Sequence, residues 1–316
     1  MKLIKLFLLV SVTAAFATAA PQAGKPRFAN YRHGYSEDIL ALQIQLDRLN
    51  FSCNRIDGCW GSRTEIAFRT WQSVSGLPET GIPTVEALDA LGGGTNVLTT
   101  YIVSKSDLAN LVVIPESWEA RARLPGMKFS SVEEMLAEKG HCSEALLRRL
   151  NPRVKWPNPP MGTIVIIPDC KQTRATRVLQ SDVLRISLSR MEITAFDADG
   201  KLIALFPCSI AKQKKHRPNG ELSVRNVAAN PHYLYDPQLF YPGTKETRKL
   251  NIPPGPNSPV GSAWIGLSLP GYGIHGTPYP NLIGQAASHG CFRLANWNAE
   301  KLMRMVSAGM PLVVEE

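Results

Sequence analysis

Apolar residues in the first third of the chain recur at helical spacing. Ile39, Leu42, Leu46 and Leu49 fall on one face of a helix that Ser36 would cap. Asp57-Gly58-Cys59-Trp60-Gly61 breaks the chain, and a second helix then carries Ile66, Ala67 and Trp71. A third runs from Pro83 to Leu91, ended by Gly92-Gly93-Gly94. Residues 37–93 therefore predict a small three-helix domain. The pattern then changes. Tyr101 to Val103 reads as a short strand, and Ser131 opens a capping box with Glu134. Gly140 closes that helix, Ser143 caps another ending near Asn151-Pro152, and Gly162 to Pro168 reads as a closing strand. Residues 99–170 thus predict a small βααβ domain. From 180 to 316 the alternation is that of β-structure. Val183, Arg185 and Ser187 alternate with apolar neighbours, and Met191 to Phe196, Asp199-Gly200 and Lys201 to Ile210 form a hairpin pattern. Prolines and glycines are dense from Pro218 to Pro280, and a single helix is expected from Asn298 to Met305. The fold class read from these elements is multidomain α+β, with the last domain mainly β.

The N-terminus is patterned differently. Lys2 and Lys5 precede an apolar run, Leu6 to Phe16, and Ala17-Thr18-Ala19 supplies small residues for cleavage. Residues 1–19 are expected to be a signal peptide, too short to span a bilayer, with no later stretch that could cross one. That places the mature protein in the periplasm or cell wall, without stable membrane insertion. The formal net charge is +9, or +7 without Lys2 and Lys5. A basic surface suits an acidic polymer, while scattered Lys and Arg argue against nucleic acid as partner.

Six cysteines in an oxidising compartment predict pairs. Cys53–Cys59 flank a turn and Cys142–Cys170 bracket half of the middle domain, so both are expected disulfides. Cys208 is expected as a buried thiol in a strand. Cys291 sits in the most informative stretch, Gly273-Ile274-His275-Gly276-Thr277 followed by Ser288-His289-Gly290-Cys291-Phe292-Arg293. A thiol becomes a strong nucleophile once an imidazole takes its proton, and the resulting ion pair depresses the thiol pKa. Two histidines compete for that role. His289 would share a strand face with Cys291, and His275 could reach it from a neighbouring strand. No second ligand pair accompanies His289 and Cys291 at zinc spacing, so no metal is expected.

Three resemblances refine this reading. Leu42 to Leu46, Asp57 to Gly61, Thr64, Ala67-Phe68, Gly76-Leu77, Thr80-Gly81, Thr84 and Leu88 together resemble the three-helix peptidoglycan-binding domain. The middle domain, with Asn-Pro after its second helix, resembles a lysin-motif (LysM) glycan-binding domain, from which it departs by an insertion at about 109–130 between the first strand and the first helix. His275-Gly276-Thr277 and Ser288-His289-Gly290-Cys291-x-Arg293 resemble the L,D-transpeptidase (YkuD-type) catalytic domain, as do Arg217 to Leu222 and Pro254 to Gly261.

The last resemblance implies that Cys291 is acylated and that His275 is the proton acceptor and donor. Ser288 and His289 would support the site, and Gly290 and Cys291 would offer N–H groups to an oxyanion. Arg293 would hold a substrate carboxylate or order the loop, with Gly276, Thr277, Tyr272 and Trp264 as further substrate-binding positions. The donor it implies is a peptidoglycan tetrapeptide stem cut before its terminal D-alanine. The acceptor would be an amine on another stem, or water in a carboxypeptidase. It implies no cofactor, and it implies acylation by some β-lactams. The opposing reading is a wall-binding protein with an inactive catalytic domain.

Overall fold

The computed structural model describes residues 34–92, 96–172, 179–240, 244 and 247–316. The expected signal peptide lies outside them, as does Gly93-Gly94. Among the described residues no helix is long and apolar enough to cross a membrane.

Three helices open the described chain, α1 (Glu37–Arg48), α2 (Ser62–Val74) and α3 (Val85–Ala90). Leu42 and Leu46 pack on Ala67, Phe68, Trp71 and Leu88, with Phe68 stacked on Trp71 at 5.6 Å. The Thr84 hydroxyl accepts from the Ala87 N–H to cap α3, a bond worth about 1 kcal/mol. The expected single apolar stripe on α1 is only half of what it buries. Leu40 and Ile44 enter a second core with Val132, Leu136, Leu147 and Val165. The helix is wedged between two domains, so two of its faces are dry.

The middle region pairs β1 (Leu98–Ile102) antiparallel with β2 (Ile164–Pro168). Between them come α4 (Lys105–Ala109), α5 (Trp118–Ala122), α6 (Val132–Lys139) and α7 (Glu144–Leu150). Ser131 and Ser143 cap α6 and α7 as expected. The Glu134 carboxylate, however, accepts from the Ser130 N–H at 2.8 Å rather than completing a box with Ser131. The full capping box belongs to Ser104 and Asp107 at α4.

The rest of the chain holds β3 (Val183–Ser187), β4 (Glu192–Phe196), β5 (Leu202–Pro207), β6 (Ile210–Ala211), β7 (Gly220–Ala229) and β8 (Tyr233–Tyr235). It continues through α8 (Pro237–Phe240), β9 (Leu250–Ile252), β10 (Ala263–Leu267), β11 (Gly273–His275) and β12 (Ala286–Ser288). It closes with β13 (Phe292–Arg293), α9 (Asn296–Met305) and β14 (Pro311–Glu315). One sheet has the order β13-β11-β10-β7-β14-β3-β4-β5. Leu302 and Met305 of α9 pack on it in a core with Leu184, Ile265 and Leu312. The helix starts at Asn296, two residues before the expected Asn298.

Backbone hydrogen bonds join the regions at several junctions. The N-terminal domain lies along β5: the Ser52 N–H donates to Leu205 O and the Leu205 N–H to Asn50 O, both at 2.9 Å. The insertion docks on the loop before β10, with Met127 N–H donating to Pro254 O at 2.8 Å and Asn257 N–H to Met127 O at 2.9 Å. Its Trp118 stacks on Tyr235 of β8 at 4.2 Å. Met127, Tyr235, Leu250 and Ile252 form a small separate core there.

Neither expected disulfide is formed; all six cysteines are free thiols. Cys53 packs inside the helical core, whereas Cys59 is partly exposed and its thiol donates to Asp57 O. Cys142 and Cys170 share the middle core, but the Cys170 thiol is spent on Gly140 O at 3.3 Å. Cys208 is fully buried, as expected for a strand-packed thiol.

Candidate active site

Strand register brings the key residues together. Trp264 of β10 lies opposite His275 of β11, and His275 lies opposite Arg293 of β13. A row of three side chains thus crosses three adjacent strands. The alternate positions, Ile274 and Phe292, are fully buried in the core. Cys291 immediately precedes β13, two residues before Arg293. Its partly exposed thiol donates to Gly271 O at 3.6 Å and meets the Gly273 N–H.

His275 is buried, and its ring stacks on Trp264 at 5.7 Å. Nδ1 lies 2.6 Å from Gly276 O. A carbonyl only accepts, so Nδ1 carries the proton and Nε2 keeps its lone pair. Burial pushes the imidazole pKa down to about 4; the Gly276 carbonyl opposes this and the Arg293 charge adds to it. Burial also raises the Cys291 thiol, against the pull of the Gly273 N–H and Arg293. The thiol pKa is thus shifted up, the opposite direction from the depression expected of an ion pair. Burial disfavours the charged form of each group, imidazolium and thiolate alike.

Other expected residues occupy supporting positions. The buried Ser288 hydroxyl donates to Cys291 O at 2.6 Å, fixing the backbone of the thiol residue. Ser288 is itself held by the parallel pairing of β12 with β6. Tyr272 covers Gly290 so closely that a Cβ there would sit 3.1 Å from its ring, and its hydroxyl donates to His216 O. His289 is exposed, in contrast to His275. Gly276 and Thr277 are built into the packed wall rather than left open, with Thr277 only 3% exposed.

Two residues at the site escaped sequence reasoning. Asn296 is fully buried, and a Cβ on Gly276 would lie 2.1 Å from its Oδ1. Its amide donates to Pro256 O and to Glu138, whose carboxyl burial pushes up to about 8 against that hydrogen bond. Tyr233 of β8 is near enough to feel both the Cys291 thiol and the Arg293 charge. Nothing local in sequence marks either residue. The Asn-Trp-Asn at the start of α9 reads only as a helix beginning, and Tyr233 lies in a Pro-rich loop region.

Among the described residues, one side-chain cluster has a donor set that suits a metal: Asp47, His141 and Cys170. Lys301 Nζ already sits 2.7 Å from Asp47 Oδ2, so that carboxylate has its cation.

Residues 181–314 match the model of the L,D-transpeptidase catalytic domain, and residues 35–91 that of a putative peptidoglycan binding domain. The chain is 30% identical over 144 residues to the putative L,D-transpeptidase YqjB of Bacillus subtilis, covering 44% of this chain and 74% of that protein. It is 38% identical over 131 residues to the putative L,D-transpeptidase YkuD of the same organism, covering 42% and 64%. Among solved structures, L,D-transpeptidase 3 of Mycobacterium tuberculosis with a faropenem-derived adduct is similar at 16% identity and a TM-score of 0.35, covering 52% and 77%. The YqjB match spans about three quarters of that relative, and on it the chain belongs to the L,D-transpeptidase family.

Proposed function

We propose that this enzyme is exported and acts on peptidoglycan stem peptides through a thioester on Cys291. The observation that carries the reading is the Trp264–His275–Arg293 row with Cys291 two residues before Arg293. His275 Nε2 takes the thiol proton, and Sγ attacks the carbonyl that precedes the terminal D-alanine of the stem. The carbonyl oxygen gathers negative charge, for which the Gly290 and Cys291 N–H groups are the proposed donors. His275 returns its proton to the leaving amine, and D-alanine departs. An amine on a second stem then attacks the thioester: a C–N bond forms, the C–S bond breaks and the thiol is restored. Arg293, beside the thiol, is the proposed anchor for the donor's carboxylate.

A neutral pair suits this scheme. A neutral imidazole is already a base, and a thiol kept protonated at rest is protected from oxidation until a substrate arrives. The N-terminal domain would hold the enzyme on the wall, and the middle βααβ domain would add glycan contact. The test is incubation of the mature enzyme with purified muropeptides and identification of products by mass spectrometry. Tetrapeptide-linked dimers with loss of D-alanine support cross-linking. Tripeptides alone would make it a carboxypeptidase, and unchanged muropeptides would defeat the reading.

A further inference from the structure

The insertion at 109–130 and the loop after His275 enclose a groove of about 730 Å³. One wall is Val113, Trp118 and Arg121 from the insertion; the other includes Pro278 and Tyr279, with Asn257 between. The insertion is anchored rather than loosely laid. Besides the Met127 backbone bonds, Asn257 Nδ2 donates to Lys128 O and to Glu134, and Val112 N–H donates to Phe129 O at 2.9 Å. Even so, Val113 is 88% exposed and Tyr279 56% exposed, large apolar surface that no packing requires.

The groove adjoins the reacting centre by two routes. Tyr279 is four residues from His275, a reach of at most about 14 Å along the chain. Trp118 is tilted against Tyr233 at 6.1 Å, and Tyr233 lies within electrostatic reach of Cys291 and Arg293. Tyr233 therefore borders the groove through Trp118. Arg121 stands in the groove with its Nε donating to Pro115 O at 2.7 Å and its guanidinium over Trp118 at 4.9 Å. No acidic side chain among the described residues pairs with it.

The donor's carboxylate must be held until D-alanine leaves, and the acceptor stem brings a second carboxylate once the thioester has formed. Two cations are available for them: Arg293 beside the thiol and Arg121 in the groove. We propose that the groove between the insertion and Tyr279 binds the acyl-acceptor stem peptide, with Arg121 holding its carboxylate. Val113, Trp118 and Tyr279 pack its short apolar side chains, and its amine passes Tyr233 to reach the thioester. That amine attacks the thioester carbonyl; the C–N bond forms, the C–S bond breaks, and the amine proton passes through His275 to the thiolate. This inference rests on the acyl-transfer reading above and adds where the second substrate sits.

The experiment uses the full mature chain, a tetrapeptide-stem donor, and an acceptor stem with its terminal carboxylate either free or amidated. Acylation of Cys291 by a chromogenic β-lactam is followed in parallel. The wild-type enzyme should prefer the free-carboxylate acceptor, with a KM about tenfold lower than for the amide, the order expected of one charge-assisted contact. Arg121→Ala should raise KM for the free-carboxylate acceptor to that of the amide, and Arg121→Lys should recover part of the difference. Tyr279→Ala should raise KM for both acceptors alike. Equal KM for the two acceptors in the wild type, or an Arg121→Ala KM within twofold of wild type, overturns the proposal. So does a slowing of acylation in Arg121→Ala that matches the loss of transfer, since Arg121 would then serve the donor. Absence of any acyl adduct on Cys291 in the wild type would instead defeat the underlying functional reading.

Discussion

Lys301 of α9 donates from Nζ to Oδ2 of Asp47 in α1 at 2.7 Å, and both side chains are almost fully buried. A third domain joins them: His141 Nδ1 donates to the same oxygen at 2.8 Å, with its ring stacked on Trp297 at 5.3 Å. One carboxylate thus ties together the N-terminal, middle and catalytic regions. Burial alone would raise its pKa, but His141 and Lys301 outweigh that and hold it well below the usual carboxylate range.

Breaking the Asp47–Lys301 pair from one side should cost far more than replacing it. Lys301→Met leaves a buried carboxylate with only His141 and should destabilise by about 3–5 kcal/mol. Asp47→Asn with Lys301→Met should recover a large part, which thermal unfolding of the three variants would show. A carboxyl with a depressed native pKa stabilises the fold above its unfolded pKa of about 3.9, and that contribution is lost as pH falls through the acid range. The acid limb of the wild-type stability curve should accordingly flatten in Asp47→Asn.

Substitution of Cys291 by Ala or Ser should abolish turnover and the covalent β-lactam adduct, seen by intact-mass analysis, while the melting temperature is kept. His275→Ala should slow acylation by roughly 10²–10⁴-fold, the usual worth of general-base help. His289→Ala, at an exposed position, should cost much less. A folded His289→Ala that is inert while His275→Ala still reacts would reverse the assignment.

The pH profile should lack the inflection of an ordinary histidine. With the imidazole pKa near 4, the base stays unprotonated through pH 5 and is lost only below about 4. The raised thiol pKa sets the other side: the thiolate fraction grows only above the ordinary cysteine range. Acylation rates by a chromogenic β-lactam from pH 4 to 10 should therefore show no break near 6.5 and should climb at the alkaline end. A break at 6.5 would mean that His275 is solvated in the working enzyme.

Gly276→Ala should damage stability and chemistry together. The new methyl would fall 2.1 Å from Asn296 Oδ1, a fully buried atom that accepts from the Ser262 N–H. Overpacking of this kind costs about 1–3 kcal/mol. Because Gly276 O also orients the His275 ring, the displacement should slow acylation at temperatures where the protein is still folded. Melting curves alongside acylation rates separate the two effects.

The candidate reacting residues were legible because their motif is local. Ser288, Gly290, Cys291 and Arg293 lie within six positions of a single motif. The helix starts at Ser131, Ser143 and the turn at Asp199-Gly200 were legible for the same reason. What sequence could not supply was contact across domains. Asp47 and Lys301 are 254 residues apart, and the second dry face of α1 exists only because a neighbouring domain covers it. Tyr233 comes from a separate hairpin, and the six thiols show that sequence proximity does not decide which sulfurs meet. The pKa directions at His275 and Cys291 belong to the same class, since burial at the end of a strand is not a property of the motif itself.

The two hydrogen bonds that Ser52 and Asn50 make with Leu205 cover part of the outermost strand of the eight-stranded sheet. An outer strand with bare N–H and C=O groups is a template for joining another copy's sheet. Residues 50–52 act there as a terminal splint, contributed by the very domain that resembles a wall-attachment module. Cutting the chain near Ser181 to isolate the catalytic part would therefore strip that splint, and along with it the cover over Leu205 and the partners of Asn298 and Lys301. The severed piece would gain a sticky margin, and self-association on concentration would be its characteristic fault, before any question of wall attachment arises.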